Sequence, residues 1–181
     1  MGDLKSTHTE LVKKIREGDK DAFERLFHKY YTRLCVFSNS YVKSIDTSRD
    51  VVQDVYIRIW DNRESFFIKQ SLKAYLYQAV RNQSLNYLDK NSQKLRLQKS
   101  LTKKRELEKS ENDIELNTEE LTEKIWKLVD VLPERRRTIF ILYRKHGLSY
   151  KEIGEVMDIK RKTVENQMGR SLKFIRDQLD L

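Results

Sequence analysis

The chain has 181 residues, room for one ordinary domain or two small ones with thin cores. Its 37 Lys and Arg against 28 Asp and Glu leave a formal charge of +9, which suits a polyanionic partner, either nucleic acid or an acidic membrane surface. The apolar runs are far shorter than the roughly 20 residues of a bilayer-spanning helix, the N-terminus lacks a charged-then-apolar signal pattern, and the single Cys35 cannot make an internal disulfide; a cytoplasmic protein without membrane insertion is expected.

One Pro, five Gly, and apolar residues recurring three and four positions apart predict an all-α fold. Residues 1–90 read as one helical domain. A short helix around Leu11 and Ile15 ends at Gly18. The next stacks Phe23, Leu26, Phe27, Tyr30 and Leu34 on one face, with Cys35 as a small buried hydrophobe. A third carries Val52, Val55, Tyr56 and Ile59 and ends near Trp60. A fourth begins after Gln70 and repeats Leu72, Tyr75, Leu76, Ala79 and Val80.

Residues 91–120 separate their charges along the chain. Lys94, Arg96, Lys99, Lys103, Lys104 and Arg105 precede Glu106, Glu108, Glu111, Asp113, Glu115, Glu119 and Glu120. Such a stretch, without aromatics, cannot offset its ordering entropy by burial and reads as a charged linker. Opposite charges four apart equally permit a solvated helix. Under both readings it joins two small helical domains.

Residues 121–181 form the most basic segment and carry the clearest motif. Pro133 suits the first turn of a helix whose apolar face holds Ile139 and Leu142 and which stops at Gly147. Ser149 and Glu152 have capping-box spacing, with Leu148 and Ile153 placed as a hydrophobic staple. Ile153, Val156 and Met157 bury one side until a break at Asp158, Ile159 and Lys160. A last helix follows from Arg161, with Val164, Met168, Leu172 and Ile175 as its expected core stripe. Its other face shows Arg161, Lys162, Glu165, Asn166, Gly169, Arg170 and Lys173. Side chains of this kind reach base edges in a major groove near the helix start and phosphates farther along. Each of these residues alone also suits an ordinary solvated face. Capping box, staple, short break and second amphipathic helix together predict a DNA-binding helix-turn-helix.

Three segments resemble one family in its order and spacing. Asp50-Val-Val-Gln-Asp-Val-Tyr-Ile-Arg-Ile-Trp60 resembles the polymerase-binding helix of RNA polymerase sigma factors of the sigma-70 family, extracytoplasmic-function (ECF) group. Ser71-Leu-Lys-Ala-Tyr-Leu-Tyr-Gln-Ala-Val-Arg-Asn82, followed by Leu85-Asn-Tyr-Leu88, resembles that group's minus-ten helix. Leu148-Ser-Tyr-Lys-Glu-Ile-Gly154 and Lys162-Thr-Val-Glu165 resemble its minus-thirty-five helix-turn-helix. The resemblance implies that residues 1–90 bind core RNA polymerase and the minus-ten element, and residues 121–181 the minus-thirty-five element. It also implies a promoter DNA target, an anti-sigma factor partner, and action as a monomer tethered to polymerase.

By the same resemblance, Asp50, Gln53, Asp54 and Arg58 face the polymerase, away from the Val52, Val55 and Ile59 stripe. Phe66 falls in the loop that shapes a pocket for an unstacked base, and Asn82 helps to read that strand; Lys69, Lys73 and Arg81 neutralise phosphates. An alternative stays open in which Phe67 is the exposed ring and Phe66 the core anchor. Lys160 stands where many relatives have a serine cap, and Glu165 and Asn166 stand where a basic residue and serine are common. Glu165 is suited to a cytosine amino group and Asn166 to adenine, so an altered promoter preference is expected.

Enzyme chemistry is not expected. His8, His28 and His146 lie far apart, no glycine-rich phosphate loop is visible, and no cofactor, metal or catalytic residue is suggested. The remaining alternative is a free-standing helix-turn-helix regulator, which would ordinarily dimerise to span two half-sites.

Overall fold

The computed structural model describes the backbone of residues 3–68, 71–98 and 118–179, and the side chains of residues 8–68, 71–92 and 121–179. All regular structure among the described residues is helical. The chain divides into two compact units, Met1–Leu97 and Gln98–Leu181.

The first unit holds α1 (Asp3–Arg16), α2 (Lys20–Val42), α3 (Ile45–Asp61), a 3-10 turn (Arg63–Ser65) and α4 (Leu72–Gln98). Local chemistry fixes the breaks between them. Gly18 takes a φ of +85°, the left-handed value that ends α1 at little steric cost. Asp19 caps α2 by accepting from the Ala22 amide at 2.9 Å, and Ser44 caps α3 by accepting from the Thr47 amide at 3.3 Å.

Leu26, Leu34 and Phe37 of α2, Val52, Val55 and Ile59 of α3, and Leu76 and Val80 of α4 form the core. Each such side chain contributes about 1.5–3 kcal/mol by leaving water. The Ser38 and Ser84 hydroxyls meet at 3.0 Å inside it, tying α2 to α4. Tyr56 donates to the Leu26 carbonyl at 3.4 Å, and burial pushes its phenol pKa well up, so it stays neutral.

Two features depart from the simple periodic pattern. The buried positions of α4 spread over a wide arc, with Ala74 and Tyr77 fully enclosed and Tyr75 only half-buried, so this helix is covered on more than one side. It also continues as helix beyond Lys90 to Gln98; residues 99–117 of the charged stretch lie outside the described residues.

The second unit holds α5 (Thr118–Asp130), α6 (Glu134–Arg144), α7 (Tyr150–Met157) and α8 (Arg161–Gln178). Pro133 precedes α6 as its cap residue. Both arms of the capping box form at α7: the Glu152 amide donates to Ser149 Oγ at 3.3 Å, and the Ser149 amide donates to Glu152 Oε2 at 2.9 Å. Leu148 and Ile153 are buried on either side of it.

The α7–α8 turn closes tightly, with Asp158 left-handed at φ 52° and the Ile159 amide donating to the Gly154 carbonyl at 2.9 Å. The core stripe of α8 is Val164, Met168, Ser171 and Ile175. Leu172, expected in that stripe, is 45 % exposed instead. A helix turns about 100° per residue, so the step from 168 to 171 keeps the heptad seam and rotates 172 out of it.

Candidate polymerase and nucleic-acid interfaces

On α3 the residues expected to meet a protein partner share one exposed face. Asp50, Gln53, Asp54 and Arg58 are all solvent-facing, opposite the buried Val51, Val52, Val55 and Ile59. Ile57 lies in the middle of this polar stripe and is 56 % exposed. Sequence reading passed over it, although an apolar residue off the core stripe was the available signal. Asp54 accepts from Gln83 Nε2 of α4 at 3.1 Å, so this face is braced by the helix that follows.

The loop after the 3-10 turn decides between two adjacent rings. Phe66 is buried and packs edge-on against Tyr75 with ring centroids 5.3 Å apart. Phe67 is 65 % exposed, with the Arg16 guanidinium 3.8 Å from its ring centroid. The ring expected from the resemblance to face an unstacked base is therefore the anchor, and its neighbour is the accessible one. Phe66 leaves the turn in non-helical backbone geometry, and its ring takes the inward position where Tyr75 of α4 packs against it. The turn itself is pinned by Arg63, which donates to the Trp60 carbonyl at 3.0 Å.

Along α4, Asn82 is exposed, while Lys73 and Arg81 are half-buried. Arg81 Nε is buried without a hydrogen-bond partner. Lys69 lies outside the described residues.

In the second unit, Arg161, Lys162, Asn166, Gly169, Arg170 and Lys173 are exposed on one side of α8, with Glu165 half-buried among them. Glu165 accepts from Arg161 Nε at 2.9 Å and from Lys162 Nζ at 3.4 Å, so its carboxylate is held by two cations. A methyl group added at Gly169 would meet nothing within 4 Å among the described residues, so this glycine leaves α8 flat toward solvent. Lys160 makes no side-chain cap, which leaves the first amides of α8 open to an acceptor from outside.

Two family models match this chain, sigma-70 region 2 over residues 26–94 and sigma-70 region 4 over residues 122–175. The chain belongs to the sigma-70 family, as an ECF RNA polymerase sigma factor.

This sigma factor is similar to the ECF RNA polymerase sigma-E factor of Haemophilus influenzae, 28% identical over 183 residues that cover 96% of this chain and 95% of that one. It is likewise 28% identical to that of Escherichia coli K12, over 93% of this chain and 92% of the relative. Two solved structures share its fold: CnrH in complex with the cytosolic domain of CnrY (TM-score 0.64, 20% identity, 94% of this chain and 95% of that one), and the sigma factor RpoE in complex with the anti-sigma factor NepR from Bartonella quintana (TM-score 0.64, 19% identity, 88% and 97%). The sigma factor directs RNA polymerase to promoters and is an initiation factor, not an enzyme. Among the described residues, no His, Cys, Asp and Glu side chains are grouped to hold a metal ion, and no helix is long and apolar enough to cross a membrane.

Proposed function

We propose that this sigma factor divides promoter recognition between its two units. The α8 face reads the minus-thirty-five element as closed duplex. Asn166 and Glu165 address base edges, and Arg161, Lys162, Arg170 and Lys173 address phosphates; Gly169 permits close approach of the backbone. The first unit captures the melted minus-ten strand, with Phe67 as stacking platform, Asn82 as edge reader, and Lys69, Lys73 and Arg81 as phosphate partners. Asp50, Gln53, Asp54 and Arg58 of α3 bind core polymerase, with Ile57 as an apolar anchor among them.

The observation that carries this reading is the joint exposure of Phe67 and Asn82 on one unit and of Asn166 and Arg170 on the other. Melting then needs no hydrolysis by this chain. Open strand is stabilised because the first unit binds it in preference to duplex, and the equilibrium shifts accordingly.

CnrH was solved with the cytosolic domain of CnrY and RpoE with the anti-sigma factor NepR, and the likeness to both supports an anti-sigma factor for this chain too. We further read the protein as a cytoplasmic monomer that acts when tethered to polymerase.

Run-off transcription with core polymerase on a promoter library tests the whole scheme. Specific initiation at promoters sharing two spaced elements is the expected result. A stable homodimer that ignores core polymerase would instead support a free-standing regulator. Asn166→Ala should weaken duplex docking, and Asn82→Ala should spare docking and impair strand capture. Equal effects on both steps would refute the division of labour.

A further inference from the structure

We infer that Glu165 sets specificity by restraint: on a duplex lacking its base partner it holds Arg161 and Lys162 off the phosphates, and a cytosine amino group offered to its carboxylate releases both cations to the backbone. The inference rests on the reading that α8 docks in duplex DNA. It adds a reason why two cations and a carboxylate stand together at the start of that helix.

Helix stability does not account for the arrangement. Arg161 and Lys162 occupy the first turn of α8, where the uncapped amides carry the positive end of the helix dipole and cations are unfavourable. No acidic residue shares that turn. Glu165, one turn on, offsets them: its Oε1 accepts from Arg161 Nε at 2.9 Å and its Oε2 from Lys162 Nζ at 3.4 Å. A cation placed before its carboxylate along the helix is also the less favourable order for a pair four residues apart.

The three side chains differ in freedom. That of Glu165 is 30 % exposed, against 69 % for Arg161 and 78 % for Lys162. The carboxylate is the fixed member, and the cations are the movable ones, on long stems that reach from the helix to a phosphate. Ion pairs this exposed are weak in water. In a groove the balance changes, because a carboxylate deprived of both cations faces phosphates of its own sign with no donor to accept from. On a non-matching duplex the cations therefore stay, and two cations less one carboxylate meet the backbone as a single net charge.

Cytosine reverses this. Its N4 amino group donates into the major groove, and a carboxylate accepts from it. Guanine and thymine present only acceptors there, and adenine sets its amino group beside the N7 acceptor, which repels a carboxylate. With cytosine in place Glu165 stays satisfied after Arg161 and Lys162 leave, and both cations reach phosphates. Recognition of one base thereby acquires a salt dependence that an ordinary base contact lacks.

The test titrates the full chain, reconstituted with core RNA polymerase, onto short duplexes across a salt series. They carry only the minus-thirty-five element of a promoter found by run-off transcription, with each base pair altered in turn, or a scrambled sequence. Differences between variants cancel the polymerase's own contacts. On the scrambled duplex, Glu165→Gln is expected to steepen the slope of log affinity against log salt by about 1, which amounts to about tenfold tighter binding than wild type at about 0.1 M salt, converging at about 1 M. On the matched duplex the wild-type slope should exceed that on a duplex altered at one C·G pair by about 1–2, one for each cation freed. In Glu165→Gln the same alteration should leave the slope unchanged. Asp177→Asn removes an equal charge from the exposed far end of α8 and should leave scrambled-duplex binding as in wild type. Glutamine keeps the shape of the glutamate side chain, and unchanged urea midpoints check the fold of each variant.

Wild-type affinity and slope for Glu165→Gln on the scrambled duplex would overturn the inference. So would an equal gain from Asp177→Asn, which would reduce Glu165 to a diffuse charge. A wild-type slope that no base-pair change alters would also overturn it, since the cations would then answer to no base. If Asn166→Ala and Arg170→Ala leave matched-duplex binding unchanged, the reading of α8 itself fails and takes this inference with it.

Discussion

The carbonyl oxygen of Ile159 lies 2.7 Å from where a Cβ on Gly154 would stand. That contact is backbone, with no flexible side chain to give way, and it closes the turn between α7 and α8. Gly154→Ala must therefore open the turn. A cost of about 1–3 kcal/mol is expected, in the range of an overpacked interior. Urea denaturation should report the loss, and promoter-duplex affinity should fall while polymerase binding by the first unit is retained. An unchanged urea midpoint would show that the turn is looser than this contact requires.

Adjacent phenylalanines should separate stability from strand binding. Phe66→Ala removes a buried ring packed on Tyr75, and a loss of about 3–5 kcal/mol is expected for a core Phe. Phe67→Ala removes an exposed ring whose one described partner of this kind is the Arg16 guanidinium, at a cost below about 1 kcal/mol. Thermal melting separates the two, and single-strand binding should show the reverse order among variants that remain folded.

Ile57→Glu tests the α3 face. The side chain is exposed, so stability should change by no more than about 0.5 kcal/mol. Affinity for core polymerase should fall by about 2 kcal/mol or roughly thirtyfold in Kd, as for an apolar anchor within a protein interface. Full retention of polymerase binding would move the interface off this helix face.

Salt dependence distinguishes positioning from reading on α8. Arg170→Ala should lower the slope of log affinity against log salt by about 1 and weaken all duplexes alike. Asn166→Ala should leave the slope unchanged and lose about 1–3 kcal/mol of discrimination at one base pair. Titrations on a matched and a singly altered promoter across a salt series give both quantities.

Most of the helices, their breaks and the polar faces were legible in the sequence, because each is set by residues within a few positions; α5 and the run of α4 past Lys90 were not. Gly18 and the Ser149–Glu152 capping box stop or start helices through contacts no longer than one turn. Asp50, Gln53, Asp54 and Arg58 fall on one side of α3 by helical geometry alone. What the tertiary structure decided was which member of a near-equivalent pair is buried. Phe66 or Phe67, Ser171 or Leu172, and Tyr77 or Tyr75 differ by a rotation that local pattern leaves undetermined, and the choice depends on what packs against them. The contact of Arg16 with Phe67 is likewise invisible in the sequence, since it joins α1 to a loop some fifty residues later. Contacts between residues so far apart are fixed by the folding of the whole unit, and no local periodicity records them.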